Sequence, residues 1–392
     1  MVFLGEEITD QTHRTPFSPR VAKDLIEEEL FHLHRDLLTG LDIVFFDTTS
    51  LYFEGEGGET IGQRGHSKDH RPDLHQMVVG VVLDNEGNPL CSEMWPGNTT
   101  DVKSLIPVLE RIRSRFAIGK CCIVFDRGMI SKETLAYLEQ EHIPYILGAR
   151  MRKAKEVKEK VLSHAGRYRE VYPEGLSSKD PSPLKVKEVI VYDRRYIVCL
   201  NTKQARKEAA DRQAVIDSLR DKLATNPKSL VGNKGYRKYL AMDRGAVSIN
   251  EQKIEEEARF DGKWVLETNT PLTAEQAALK YKELWQVEQV FRDMKSVLDT
   301  RPIFHQRDAT IRGHVFCSFL ALMLRKELDH RLEKAGHDFE WAAIKQDLCA
   351  LQEITIEDKG KSLAVRTECK GTCGRVFQAV GVAIPPTIRE TS

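Results

Sequence analysis

The stretch "VFFDTTS", residues 44–50, ends an apolar, β-branched and aromatic run on a single acid, Asp47, with no second charge beside it. A second stretch, "CCIVFDRGMIS" at residues 121–131, repeats the arrangement: an apolar run leads into Asp126, then Arg127 and the turn residue Gly128. Short apolar runs bounded by turn signals read as central strands. Each therefore brings a carboxylate to the C-terminal edge of a strand. Taken singly, such an aspartate caps the following turn, so the pair has to be read with the elements around it.

Residues 16–39 have helical character, punctuated by Pro16, Pro19 and Gly40. After the Asp47 strand, residues 54–75 are too rich in glycine and polar groups for a regular element. Residues 76–99 read as two strands joined around Asn-Glu-Gly-Asn, a hairpin signal. A helix over 101–116, the Asp126 strand, a helix opened by Ser131 and a short strand in "PYILGAR" follow. Three hairpin-like strands, then helix, strand, helix, strand, is the order of a ribonuclease H-like α/β core. In that topology the two acidic strands are neighbours, which predicts Asp47 and Asp126 side by side. Residues 151–270 change composition, with charged helices, the loop "EGLSSKDPSP" and strand pairs, and read as a β-rich insertion. The chain resumes with one long helix over 273–300, capped by Thr273 with Glu275 or Gln276 in the first turn. The expected division is a helical segment 1–40, the first part of the core 41–150, the insertion 151–270, core completion 271–330 and a helical C-terminal region 331–392.

The chain has 392 residues and is 41% hydrophobic, enough to fill a real core. No apolar run approaches the about 20 residues needed to span a bilayer, and the N-terminus lacks a signal-peptide pattern, which predicts a cytoplasmic protein without a membrane partner. Eight scattered cysteines suit reduced thiols; Cys369 and Cys373 lack the second pair that a zinc site needs. The 59 basic residues balance 59 acidic ones, but residues 148–161 and 300–314 are locally basic, and local patches set contacts with phosphates. In "HSKDHRPDLH", His66 and His70 have helical ligand spacing, yet Pro72 and the glycine-rich approach argue for a loop, whose Lys68 and Arg71 are expected to face DNA backbone.

On the 273–300 helix, Leu284, Val287, Phe291, Met294 and Leu298 form an apolar stripe, with Tyr281, Glu288 and Lys295 along one border. Glu288 alone reads as a partner of Arg292 four residues on. Together with the two aspartates it makes three carboxylates at one edge of a sheet. That is what metal-assisted phosphodiester chemistry uses: two Mg²⁺ ions about 3.5 to 4 Å apart clamp the attacking and leaving oxygens, and Mg²⁺ takes hard oxygen ligands.

"YKELWQVEQVFRDMK" resembles the Tyr-x2-Arg-x3-Glu-x6-Lys signature of DDE transposases from bacterial insertion sequences, in the branch with a β-rich insertion before the catalytic glutamate, insertion sequence family four. Tyr281, Glu288 and Lys295 match in spacing; Leu284 stands at the arginine position. "FFDTTSLYFEG", "GHSKDHRPDLHQ", "PGNTTD", "VFDRGMIS" and "RTECKGTCGRVFQAVGV" are similar to one subgroup, so the resemblance spans residues 42 to 385. It implies Asp47, Asp126 and Glu288 as metal ligands and catalytic residues, with Mg²⁺ as cofactor and Mn²⁺ able to substitute. Tyr281, Lys295 and, from another angle, Arg292 would contact DNA phosphates. Trp264 resembles the insertion-domain tryptophan that receives a flipped base, against its reading as a packing residue of the insertion's sheet. The implied partners are double-stranded DNA, as transposon ends and target, and a second copy when two ends are synapsed, in a bacterial cytoplasm and at the nucleoid when active. Asp47 lies nearer the N-terminus than in relatives, so a truncated reading frame is expected. The competing readings are another ribonuclease H-like nuclease, such as a junction resolvase, and a non-catalytic DNA-binding remnant.

Overall fold

The computed structural model describes residues 21–34, 43–116, 121–173, 184–225, 237–243, 246–358 and 361–391. In chain order it runs α1 (Ala22–His34), β1 (Ile43–Tyr52), β2 (Gln76–Leu83), β3 (Pro89–Pro96), α2 (Asp101–Arg115), β4 (Cys122–Phe125), α3 (Lys132–Gln140) and β5 (Tyr145–Gly148). Next come β6 (Arg169–Glu170), β7 (Leu184–Val191), β8 (Arg194–Asn201), α4 (Thr202–Thr225), β9 (Leu240–Asp243), β10 (Ala246–Ile249), α5 (Glu251–Ala258) and β11 (Lys263–Thr268). The remainder is α6 (Ala274–Lys282), α7 (Trp285–Ser296), α8 (Asp308–Lys334), α9 (Trp341–Ala350), β12 (Glu353–Asp358), β13 (Lys361–Arg366), α10 (Cys373–Ala379) and β14 (Ile388–Thr391). Of the helix expected over 16–39, residues 22–34 form α1; Pro16, Pro19 and Gly40 lie outside the described residues, as does the loop 174–183.

Strands β1 to β5 lie in the order β3-β2-β1-β4-β5. The first three form an antiparallel meander, and β4 and β5 add in parallel. This is the ribonuclease H-like α/β core that the element order predicts. The β2–β3 turn forms where Asn-Glu-Gly-Asn stands: the Asp84 carboxylate accepts from the backbone N–H groups of Glu86 and Asn88, both at 2.9 Å, and Gly87 takes the left-handed backbone the turn requires. Val44, Phe46, Ile123 and Phe125 from the sheet pack with Leu105, Val108, Leu109 and Ile112 of α2 and Leu135 and Leu138 of α3. Ser131 caps α3 by accepting from Thr134 N at 3.0 Å, as its position in the sequence predicts.

The segment 151–270 builds one small sheet of its own, the antiparallel pair β9 and β10. Its other strands continue the core sheet as β5-β11-β8-β7-β6, so that β11 pairs directly with β5 although the whole segment separates them in sequence. A second apolar core of Val189, Tyr196, Val198, Phe260 and Val265 lies under this extension. Helix α4 is mostly exposed, burying only Ile216 and Leu219.

The chain divides into two compact units, one of residues 1–291 with 301–311, the other of 292–300 with 312–392. In the second, Leu332, Ile344 and Val376 form a small core, and β12, β13 and β14 form an antiparallel sheet. The sequence reading of that region as helical missed these strands. Among the described residues no helix is long and apolar enough to cross a membrane.

Helix α1 joins the first unit through buried charge. Arg115 of α2 donates to Glu27 at 2.6 Å, to Glu28 at 3.0 Å and to the Asp24 carbonyl at 3.0 Å. Lys23 bridges Glu27 and the Ser92 carbonyl of β3, and Arg111 links Asp24 to Glu93. The side chains of Asp24, Glu27 and Arg115 are at most 3% exposed, so no water replaces a lost partner. Arg115→Ala is expected to lower the unfolding free energy by about 3–5 kcal/mol, the cost of stranding a buried charge, read from a denaturant titration; a change under 1 kcal/mol would show that the network is not what docks α1.

Candidate active site

The two aspartates meet because one strand stops where its neighbour continues. Strand β4 is four residues long and pairs in parallel with β1 from Ile43 and Cys122 to Phe46 and Phe125, where the pairing ends. Asp126 is the residue after the last pair on the β4 side and Asp47 the residue after it on β1, so register alone makes them neighbours. Asp47 is not at a strand tip, as its sequence suggested: it is the fifth of ten residues in β1, which runs on to Tyr52 paired with β2. The run of Thr and Ser after Asp47 looks like a turn in isolation, but the hairpin partner holds it extended.

Asp47 Oδ1 accepts from Thr48 N at 2.7 Å. Burial pushes the Asp47 carboxyl up to about 6, and the nearby Asp101 and Asp126 carboxylates add to the rise, against the opposing pull of Lys68 and the Thr48 N–H. The Asp126 carboxylate accepts from the Tyr281 hydroxyl of α6 at 3.2 Å. Burial, and then Asp126 itself, raise the pKa of that hydroxyl, so it stays a donor. Gly148 on β5 makes this possible, since a methyl group there would occupy the space of the Tyr281 hydroxyl.

Asp101, at the start of α2, is a third acid of this cluster that sequence reasoning did not single out. Thr48 Oγ1 donates to its Oδ1 at 2.5 Å. The only sequence signal was its place in "PGNTTD". Lys68, expected to face DNA, turns inward: its ammonium lies 3.3 Å from Asp101 and 3.7 Å from Asp47. Arg71 is exposed, pairs with Asp73 at 2.9 Å and stacks over the Tyr52 ring.

Glu288 is not brought to the pair. The single helix expected over 273–300 is two helices, with α6 ending at Lys282 and α7 starting at Trp285. Between them the bonds tighten to three-residue spacing: Leu284 N to Tyr281 O, Gln286 N to Glu283 O, Val287 N to Leu284 O. An unbroken apolar period hides such a change, and it removes the phase relation of Tyr281 to Glu288. The Thr273 and Gln276 capping box forms as expected. Glu288 is exposed on α7, and among the described residues no three His, Cys, Asp or Glu side chains are grouped to hold a metal ion. Exposed Arg292 and half-buried Lys295 belong to the second unit. Trp264 lies on β11 opposite Cys199, half-buried, with its indole Nε1 buried and without a hydrogen-bond partner.

The family profile described as Transposase DDE domain matches residues 38–324, a span that contains both aspartates, Tyr281 and Glu288. The chain belongs to this family. No curated protein matches it. Among solved structures it is similar to the piggyBac transposase in a synaptic complex with hairpin DNA, at 11% identity and a TM-score of 0.42, over 77% of this chain and 50% of that one. It thus spans half the length of that transposase.

DDE transposases depend on divalent metal, and the chemistry of the aspartate pair fits one. Asp47 and Asp126 offer hard oxygens side by side, and Asp47 is a buried acid crowded by other acids, a position that a cation relieves. The three-carboxylate set is not assembled.

A raised carboxyl stabilises the fold only while protonated. Between the unfolded value near 3.8 and the folded value of about 6, the native state holds a proton the unfolded chain has lost, so this contribution disappears as pH rises through about 6. Asp47→Asn is therefore expected to stabilise the metal-free protein by about 1–3 kcal/mol at pH 7.5, with the gain shrinking between pH 6 and pH 4 in denaturant titrations. An equal effect at both ends of that range would remove Asp47 as its source.

Proposed function

We propose that this transposase-family chain hydrolyses a phosphodiester at the ends of an insertion sequence of family four and joins the freed 3′-hydroxyl to target DNA. The observation that carries this reading is the pair Asp47 and Asp126, set side by side by the β1–β4 register with Asp126 held by Tyr281. Asp47 and Asp126 would hold the divalent ion, Mg²⁺ or Mn²⁺, which when bound stabilises charge on the attacking and leaving oxygens. The protein's part is positional. Strands β1 and β4 fix both carboxylates on a rigid sheet, and the Tyr281 hydroxyl selects the orientation of Asp126. Glu288 is the third acid of this reading, at the first turn of α7. Arg292 and Lys295 take phosphate contacts, which give register along DNA without base specificity. Trp264 offers an aromatic face to an unstacked base. The partners are double-stranded DNA, at the element's ends and at the target, and a second copy of the chain when two ends are joined.

Asp47→Asn and Asp126→Asn keep shape and remove a ligand charge. Both are expected to abolish Mg²⁺-dependent cleavage of a terminal-repeat DNA while leaving gel-shift affinity within about twofold. Near wild-type cleavage by either would sink its assignment. Glu288→Gln carries a sharper question, because activity retained in that variant would take Glu288 out of the site, and loss would show that α7 brings it in when DNA and metal bind.

Lys295→Ala is expected to reduce the salt dependence of DNA binding by about one unit of log K against log salt, the signature of one lost phosphate contact. An unchanged slope would make Lys295 a structural residue of its own unit.

A further inference from the structure

We infer that Lys68 is the resident cation of the aspartate cluster, and that a divalent ion reaching Asp47 must compete with its ammonium. This rests on the reading of Asp47 as a metal ligand. It departs from the expectation that Lys68 reaches for DNA.

Four oxygens surround the Lys68 ammonium. It donates to the Thr48 carbonyl at 2.6 Å and to Thr48 Oγ1 at 2.9 Å, and it lies 3.3 Å from Asp101 Oδ2 and 3.7 Å from Asp47 Oδ1. Two carboxylates, a carbonyl and a hydroxyl form the kind of hard donor set that Mg²⁺ and Ca²⁺ accept. An ammonium with three donors satisfies it without a metal. The Thr48 hydroxyl accepts from Lys68 and donates to Asp101 Oδ1 at 2.5 Å, so lysine, threonine and aspartate form one hydrogen-bonded chain. Nor is the lysine a loose side chain that happens to fall here. Its backbone N–H donates to Ser50 Oγ at 2.8 Å, and the same loop is fixed by Asp69, whose carboxylate meets Arg301 at 2.7 Å. The loop of residues 65–75 therefore lies along β1, from Ser50 to Tyr52 and its stacked Arg71, and delivers one positive charge to the half-buried acids.

Charge decides the consequence. Asp101 and Asp126 both act on the Asp47 carboxyl, and Lys68 lies within ion-pair distance of Asp47 and Asp101. Asp47 Oδ1, an oxygen that would hold a divalent ion, lies 3.7 Å from the ammonium, and two cations drawn to one carboxylate repel where solvent screening is reduced. Metal loading should therefore loosen Lys68 from Asp47 and leave it on Asp101 or in solvent. In this arrangement Lys68 offsets part of the acidic charge of the metal-free protein, and metal affinity is held down until DNA supplies further ligands.

The test is Mn²⁺ binding to the full DNA-free chain, followed by the electron paramagnetic resonance signal of free Mn²⁺ at fixed ionic strength. Lys68→Met, which keeps length and removes charge, and Lys68→Gln, which keeps a donor, are each expected to bind Mn²⁺ at least fivefold more tightly. Both should melt at lower temperature than wild type without metal and recover with it. In the wild-type chain, acetylation of Lys68 by an activated ester, read by mass spectrometry, should speed up on addition of Mg²⁺ as the amine is released. Unchanged or weaker Mn²⁺ affinity in folded variants, or Lys68 labelling indifferent to Mg²⁺, overturns the inference. Asp47→Asn in the same titration separates the two ideas: if it leaves Mn²⁺ binding unaltered, the metal-ligand reading of Asp47 fails, whereas weakened binding there with unaltered Lys68 variants rejects only the role of Lys68.

Discussion

The parallel pairing of β1 with β4, ending at Phe46 and Phe125, is the constraint on which the site depends. Everything upstream of that pair is apolar and buried, and the next position on each strand is an acid. Because paired strands lie about 4.8 Å apart, two carboxylates at successive register are forced into one another's field. No flexible loop has to bring them together. The price of that precision is a half-buried acid on β1 whose backbone is fixed, since β1 continues past it as a paired strand.

The surroundings answer this strain in specific ways. A backbone N–H and a lysine offset the charge of Asp47, and a tyrosine hydroxyl steadies Asp126. Burial, with Asp101 and Asp126 behind it, outweighs the lysine and the N–H, and the Asp47 carboxyl is displaced upward to about 6. Incomplete compensation is what a cation-binding position requires, because acids already neutralised by strong partners would leave a metal nothing to gain. The buried network around Arg115 shows the opposite arrangement in the same unit: there each acid has a close cationic partner, Asp24 is held below the ordinary carboxylate range against its burial by Lys23, Arg115 and Arg111, and the result is a joint between helix and sheet.

The long insertion has a structural role that its position in the chain conceals. By pairing β11 with β5 it turns a five-stranded core into part of a nine-stranded sheet. It covers the edge that β5 would otherwise expose, and open edges invite unwanted pairing. Trp264 is carried on this same interior strand, which fixes its backbone as firmly as that of the aspartates.

The amino-acid order by itself determined the core topology, because apolar runs, turn residues and helix caps are local signals: the β2–β3 hairpin, the Ser131 and Thr273 caps and the adjacency of Asp47 to Asp126 all follow from them. Only the tertiary structure decided what surrounds those acids. That β1 continues beyond Asp47 depends on a partner strand about thirty residues away, since each β1 residue needs a hydrogen-bonding neighbour. The inward turn of Lys68 and the recruitment of Asp101 depend on contacts between segments 20 and 53 residues from Thr48, where sequence carries no period to read. The break between α6 and α7 is equally invisible, because three-residue and four-residue hydrogen bonds bury the same apolar stripe. Periodicity records which residues face a core; it does not record the charges that other parts of the chain bring to meet them.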